Sequence, residues 1–229
     1  MKNLIKMNNT FGSPDDLLLI EKTIDYVKNE LRNAEGGHDW YHISRVWKNA
    51  VYIAEKEKKG NLLIIQLAAL LHDIADAKFY NGDEEIGPRI ARNYLNSTGL
   101  PDSIIDHIIQ IIENISFRKR NEKNDFNSIE FEIVQDADRL DALGAIGIAR
   151  VFNYGGFKNR PIYDPIDPTE NGILESEANK RHTIGHFYDK LLLLSGMMNT
   201  STGKKIANER HLFMVKFLEQ FYKETEGPE

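Results

Sequence analysis

Apolar positions recur at intervals of three and four residues along nearly the whole chain, and no stretch alternates at two, so the pattern predicts helices and no sheet. Ser13, Pro14, Asp15 and Asp16 supply an N-cap, a proline at the first helical position and acids at the positive end of the dipole. Ile20, Ile24, Val27 and Leu31 then mark one face until Gly36 and Gly37 break it. A second helix begins near Asp39 with Ile43, Val46 or Trp47, Ala50 and Ala54 on one side, and Gly60 and Asn61 end it. The third stripe, Leu63, Leu67, Leu70, Leu71 and Ile74, lies in an Ala- and Leu-rich run and predicts a buried helix.

Beyond a loop at Asn81 and Gly82, helices are predicted from near Asp83 to Asn96 and from Pro101 through Ile115. A long one follows from Ile129 to Phe152 on Val134, Ala137, Leu140, Gly144 and Ile148. Residues 153–171, with Gly155, Gly156, Pro161, Pro165 and Pro168, read as one irregular, Gly/Pro-rich loop. Two helices close the chain, about Glu175 to Met197 and Thr202 to Thr225. The expected fold is all-α, a single helical bundle over 1–229 with its core at about 38–150 and a helical extension at about 172–225.

The 229 residues are 41% hydrophobic and 28% charged, ordinary values for a folded chain. A net charge of −6 offers no general positive field for a phosphate backbone, so nucleic acid is not an expected partner. With no cysteine, disulfides, thiolate metal sites and a cysteine nucleophile are excluded, and only His, Asp and Glu remain as metal ligands. The N-terminal apolar stretch is too short for a signal peptide and no later run reaches the roughly 18 residues of a spanning helix. The expectation is a cytoplasmic protein with no membrane association.

The chemistry concentrates at three places. His72 and Asp73 directly follow the apolar run LAALL, His42 lies in the first turn of the preceding helix beside its core-facing stripe, and Asp138 follows Val134 by one turn. Two imidazoles and two carboxylates from three helices suit Mn²⁺, Fe²⁺, Co²⁺, Ni²⁺ or Zn²⁺ and discriminate little among them. His38 competes with His42 for the first position, the two being four residues apart. Asp76 stands about one turn after His72 and Asp73, where it can transfer a proton, and Lys78 can hold a phosphate or oppose a helix dipole. Asp141, three residues past Asp138, suits a supporting carboxylate, with Arg139 able to pair with either. His182 and His186 form another i, i+4 pair but lack the glutamate of a HExxH motif. His107 reads as a structural histidine.

The blocks YHISRVWKNA, LAALLHDIADAK and DADRLDALGAIGIAR, in this order, resemble the HD superfamily of metal-dependent phosphohydrolases, named for the His-Asp doublet, and a small bacterial branch of it in particular. The similarity runs from about Gly37 to Phe221. It implies an all-helical fold and metal ligation by His42, His72, Asp73 and Asp138. A lone His107 between Asp73 and Asp138 implies one metal ion, where di-iron members need more histidines in that interval. The expected cofactor is thus a single divalent ion among Mn, Co, Ni, Fe, Zn and Mg, with manganese preferred. Blocks similar to HFYDKLLLL and ANERHLFM in the branch point to His186, Lys190 and Arg210, and that around ISF to Ser116, Phe117 and Arg118.

The implied reaction is hydrolysis of a nucleotide, in the preferred form a nucleoside triphosphate cut to monophosphate and pyrophosphate. Asp76 and Lys78 are the expected catalytic residues. His38, Arg45, Lys158, Arg160, His186 and Lys190 are the expected substrate contacts, with Lys158 and Arg160 on the loop of Gly155 and Gly156. The alternatives are a monophosphate phosphatase, a signalling-nucleotide phosphodiesterase and a nucleotide-binding regulatory module without turnover; the GYP triplet of the signalling relatives is absent.

Overall fold

A computed structural model describes residues 13–33, 39–75, 83, 85–115, 126–164 and 182–227. All regular structure among them is helical: α1 (Pro14–Glu30) with a 3₁₀ turn Leu31–Asn33, α2 (Trp40–Glu57), α3 (Leu62–Leu71), α4 (Ile86–Asn96), α5 (Asp102–Asn114), α6 (Ile129–Asp141), α7 (Gly144–Phe157), α8 (Gly185–Asp189) with a 3₁₀ segment Leu191–Met197, and α9 (Ser201–Glu226). The chain divides into two compact units, Met1–Ala137 and Asp138–Glu229, with the division inside α6.

The first unit is organised by α3. From Ile64 to Leu71 every residue is buried, and α1, α2 and α5 pack on this helix. Its start is fixed by Asn61, whose side chain accepts from the amides of Leu63 and Ile64, and Glu130 in turn accepts from the Asn61 amide at 2.8 Å. Its one buried polar side chain, Gln66, accepts from the Trp47 indole of α2 at 3.0 Å. The predicted opening of α1 is present in full, Ser13 and Asp16 forming a reciprocal capping box with Pro14 at N1. In the second unit α7 packs on α9, around Phe152, Phe187, Phe217 and Phe221, whose neighbouring ring centroids lie about 6 Å apart.

Three expectations are corrected. The helix expected from Ile129 to Phe152 is two, because Gly144 takes a left-handed φ of +71° and the chain turns at Ala142 and Leu143. The irregular loop starts later than expected, since α7 continues through Gly155 and Gly156 to Phe157. Gly155 answers to close approach, a Cβ there falling 2.2 Å from Thr183 Oγ1. The helix expected to end at Met197 is broken, with five α-helical residues and then a 3₁₀ segment; its expected start, 175–181, lies outside the described residues.

These glycines give a contrasting pair. Gly144→Ala puts a side chain at φ +71° and 3.1 Å from Arg210 Cγ, and is expected to lower unfolding stability by about 1–2 kcal/mol. Gly156→Ala meets nothing within 4 Å inside a helix and is expected to raise stability by up to about 1 kcal/mol. Urea unfolding of both variants checks the pair, and equal effects would contradict it.

Candidate metal centre

Two helix ends converge in the first unit. At the start of α2, Asp39 is the N-cap and accepts from the His42 amide at 3.0 Å, which fixes the backbone of His42 in the first turn. Ile43 and Val46 on the same helix are fully buried, and His42 itself is 2% exposed. At the other end of α3, His72 is the C-cap and Asp73 follows it, both half-buried.

Nδ1 of His72 lies 2.9 Å from the Ala69 carbonyl oxygen, which can only accept, so Nδ1 carries the proton and Nε2 the lone pair. That Nε2 is shielded from solvent and takes no hydrogen bond among the described residues. Nε2 of His42 stands 3.8 Å from Oδ2 of Asp73, and the two imidazoles meet edge to face at 5.3 Å between centroids.

One potential ligand atom from each of His42, His72 and Asp73 falls in a group whose members are all within 4.8 Å of one another. Ligands about 2.1 Å from a common ion stand roughly 3–4 Å apart, so a small closure would bring the three onto one cation. The donor set fits: two imidazole nitrogens, one with its proton held away from the site by a backbone carbonyl, and one carboxylate. That second hydrogen bond on a ligating histidine fixes its tautomer and ring direction.

Against this site the HD family matches residues 39–143, a span holding all three residues and Asp138. The Bacillus subtilis protein YpgQ is 38% identical over 215 residues, 93% of this chain and 96% of that protein. A crystal structure of an HD-superfamily hydrolase from Bacillus thuringiensis is 44% identical, with a TM-score of 0.73 over 93% of this chain and 100% of that one. The chain belongs to the HD superfamily of metal-dependent phosphohydrolases. Bacillus subtilis YpgQ has also been solved in complex with ADP, and that structure is 37% identical with a TM-score of 0.75 over 93% of this chain and 98% of its own.

The HD doublet is thus His72 and Asp73, and the structure brings His42 to it. Arg45, one turn further along α2, is half-buried. His38, Asp76, Lys78, Ser116, Phe117 and Arg118 lie outside the described residues. Asp138 is half-buried on α6 in the second unit, and its place as a ligand stays with the sequence pattern. Asp141 is 1% exposed and pairs with Arg150 at 2.8 Å. Asp136, wholly buried on α6, escaped the spacing argument. Its signal is an acid inside the apolar stripe Ile133, Val134, Ala137 and Leu140.

In the second unit, the backbone amides of Thr183 and Ile184 donate to the carbonyls of Pro161 and Ile162, tying the segment after α7 to the start of α8. Burial pushes the His186 imidazole down to about 4, helped by Lys190 and Arg160 and opposed by Asp189, so these groups share one neighbourhood. The Lys158 ammonium and the Arg160 guanidinium both lie over the Tyr154 ring, at 5.7 Å from its centroid. His182 is buried and accepts from the Gly185 amide through Nδ1, a structural role. Arg210 donates to the Leu140 carbonyl. His107 sits beside Ser128 at 2.9 Å and Glu130 at 3.7 Å, as a structural histidine should.

The depressed His186 value sets a pH dependence. Between about 6.5 and 4 the unfolded chain binds the proton that the folded chain excludes, so stability falls as pH drops through this window. His186→Gln removes that contribution. Urea midpoints at pH 7 and pH 4.5 are expected to fall further for the native chain than for the variant, by an amount equivalent to about 1–3 kcal/mol; parallel curves would show that His186 titrates normally.

Proposed function

We propose that this HD hydrolase cuts nucleoside triphosphates to the monophosphate and pyrophosphate, using one divalent ion held by His42, His72, Asp73 and Asp138. The observation that carries the reading is the convergence of His42, His72 and Asp73 within 4.8 Å at two helix ends. The fourth ligand rests on the block DADRLDALG and on family membership. A bound divalent ion supplies a Lewis acid that makes water nucleophilic near neutral pH and offsets charge on phosphoryl oxygens. Two imidazoles with two carboxylates would suit manganese.

The protein's own groups do the rest. Asp76, four residues past His72, takes the proton from the attacking water, and Lys78 neutralises the phosphoryl group as a point charge. Arg45 and His38, within four residues of His42 on either side, contact the substrate. In the second unit, Arg160 and Lys190 supply positive charge where Lys158 is exposed beside them. His186 is neutral at pH 7 and serves there as a hydrogen-bonding group. These residues suit a polyphosphate tail. The ADP carried by YpgQ supports a nucleotide as the substrate class. A tail held by its outer phosphates presents the α-phosphorus; water adds there, the bond to the bridging oxygen breaks, and pyrophosphate leaves with the electron pair.

Ion-exchange separation of products from a triphosphate with Mn²⁺ tests the reading. Monophosphate and pyrophosphate in equal amounts from the first turnover are expected. Orthophosphate with transient diphosphate would mean attack from the γ end, and activity confined to monophosphates would make the protein a nucleotidase. In the same assay Asp76→Ala is expected to retain the metal and lose about 10²–10⁴ in turnover.

A further inference from the structure

The C-terminal end of α6 is gripped by arginines. Arg210 of α9 donates through Nη1 to the Leu140 carbonyl. Arg150 of α7 places its Nη1 2.8 Å from Asp141 Oδ2 and 3.3 Å from the Asp141 carbonyl oxygen. Arg139, on α6 itself, donates to the Met197 carbonyl. A helix leaves its last carbonyls without intrahelical donors, and cations there also oppose the negative end of the dipole.

The approach of Arg210 is built into the backbone. Gly144, at φ +71°, begins α7 with no side chain, and a Cβ there would stand 3.1–3.5 Å from the Cβ, Cγ and Cδ of Arg210. The stem of Arg210 thus lies across the glycine while its head reaches back to α6. Burial lowers the pKa of this guanidinium, and the Asp141 carboxylate opposes the shift. Desolvating two guanidinium groups at one helical turn is a poor route to stability, because apolar replacements of such pairs are often neutral or stabilising. Their planar forks give direction instead.

Asp138 lies three residues before Asp141 on this same last turn. We propose that Arg210 and Arg150, acting through the Leu140 carbonyl and Asp141, are positioning residues for Asp138, holding its carboxylate where a divalent cation needs it. The inference rests on the reading of Asp138 as a ligand. It also gives a specific task to Arg210, to which the block ANERHLFM points.

Titration calorimetry of the full chain with Mn²⁺ alone separates the two ideas. Arg210→Met keeps the stem over Gly144 and removes the donors; it is expected to bind Mn²⁺ ten- to a hundredfold more weakly while retaining native helical circular dichroism, with Arg210→Lys recovering most of the loss. The Mn²⁺ electron paramagnetic resonance line of Arg210→Met is expected to differ from the native one. A folded Arg210→Met with native affinity and native line would overturn the clamp. Should that variant not fold, Arg150→Met carries the same expectation, and native affinity there would overturn it equally. Asp138→Ala is the control: native Mn²⁺ affinity in it would overturn the ligand reading beneath, whereas loss in Asp138→Ala alone would overturn only the positioning role.

Discussion

A helix that is apolar on every side has to lie inside the protein, and everything at this site depends on where such a helix ends. From Ile64 to Leu71, α3 is buried without interruption, and its next two residues are an imidazole and a carboxylate. Moving such groups away from water costs several kcal/mol unless they find partners. The Ala69 carbonyl satisfies one nitrogen of His72, while a potential ligand atom of His72 and one of Asp73 lie within 4.8 Å of one on His42, which the Asp39 cap delivers from α2. A cation shared by the three would offset the cost that the fold imposes, so the same residues read both as a structural liability and as a candidate binding site.

The supporting contacts point one way. Asn61 and Glu130 fix the start of α3, and Gln66 with Trp47 locks it to α2, so the distance between His42 and the His72–Asp73 pair is set by helix packing. Sites built on packed helices hold geometry better than sites on loops. In the second unit the same logic recurs at the end of α6, where charged side chains secure one turn near Asp138.

Much of this was legible in the sequence because it is local. The N-cap and Pro14 of α1, the stripe of α2 and the apolar run of α3 are short-range patterns, and the family blocks carry His42, His72 and Asp73 together. What sequence spacing could not show was decided by contacts far along the chain. Gly144 falls on the helical period of its neighbours, and only its positive φ beneath Arg210 makes it a break. Gly155 and Gly156 read as a loop by composition, yet they continue α7, the first of them making room for Thr183. Asp136 and Arg150 stand at the two ends of the block DADRLDALGAIGIAR, but the burial of one and the pairing of the other emerge only when the helices pack.

Whether His42, together with the HD doublet, holds a metal ion is decided by anomalous diffraction above the manganese edge from crystals grown with Mn²⁺. One strong peak is expected, about 2.0–2.3 Å from an imidazole nitrogen of both His42 and His72 and from a carboxylate oxygen of Asp73. A peak standing more than about 3 Å from His42 with His38 in its place, or crystals of Mn²⁺-loaded protein with no peak among these residues, would contradict it.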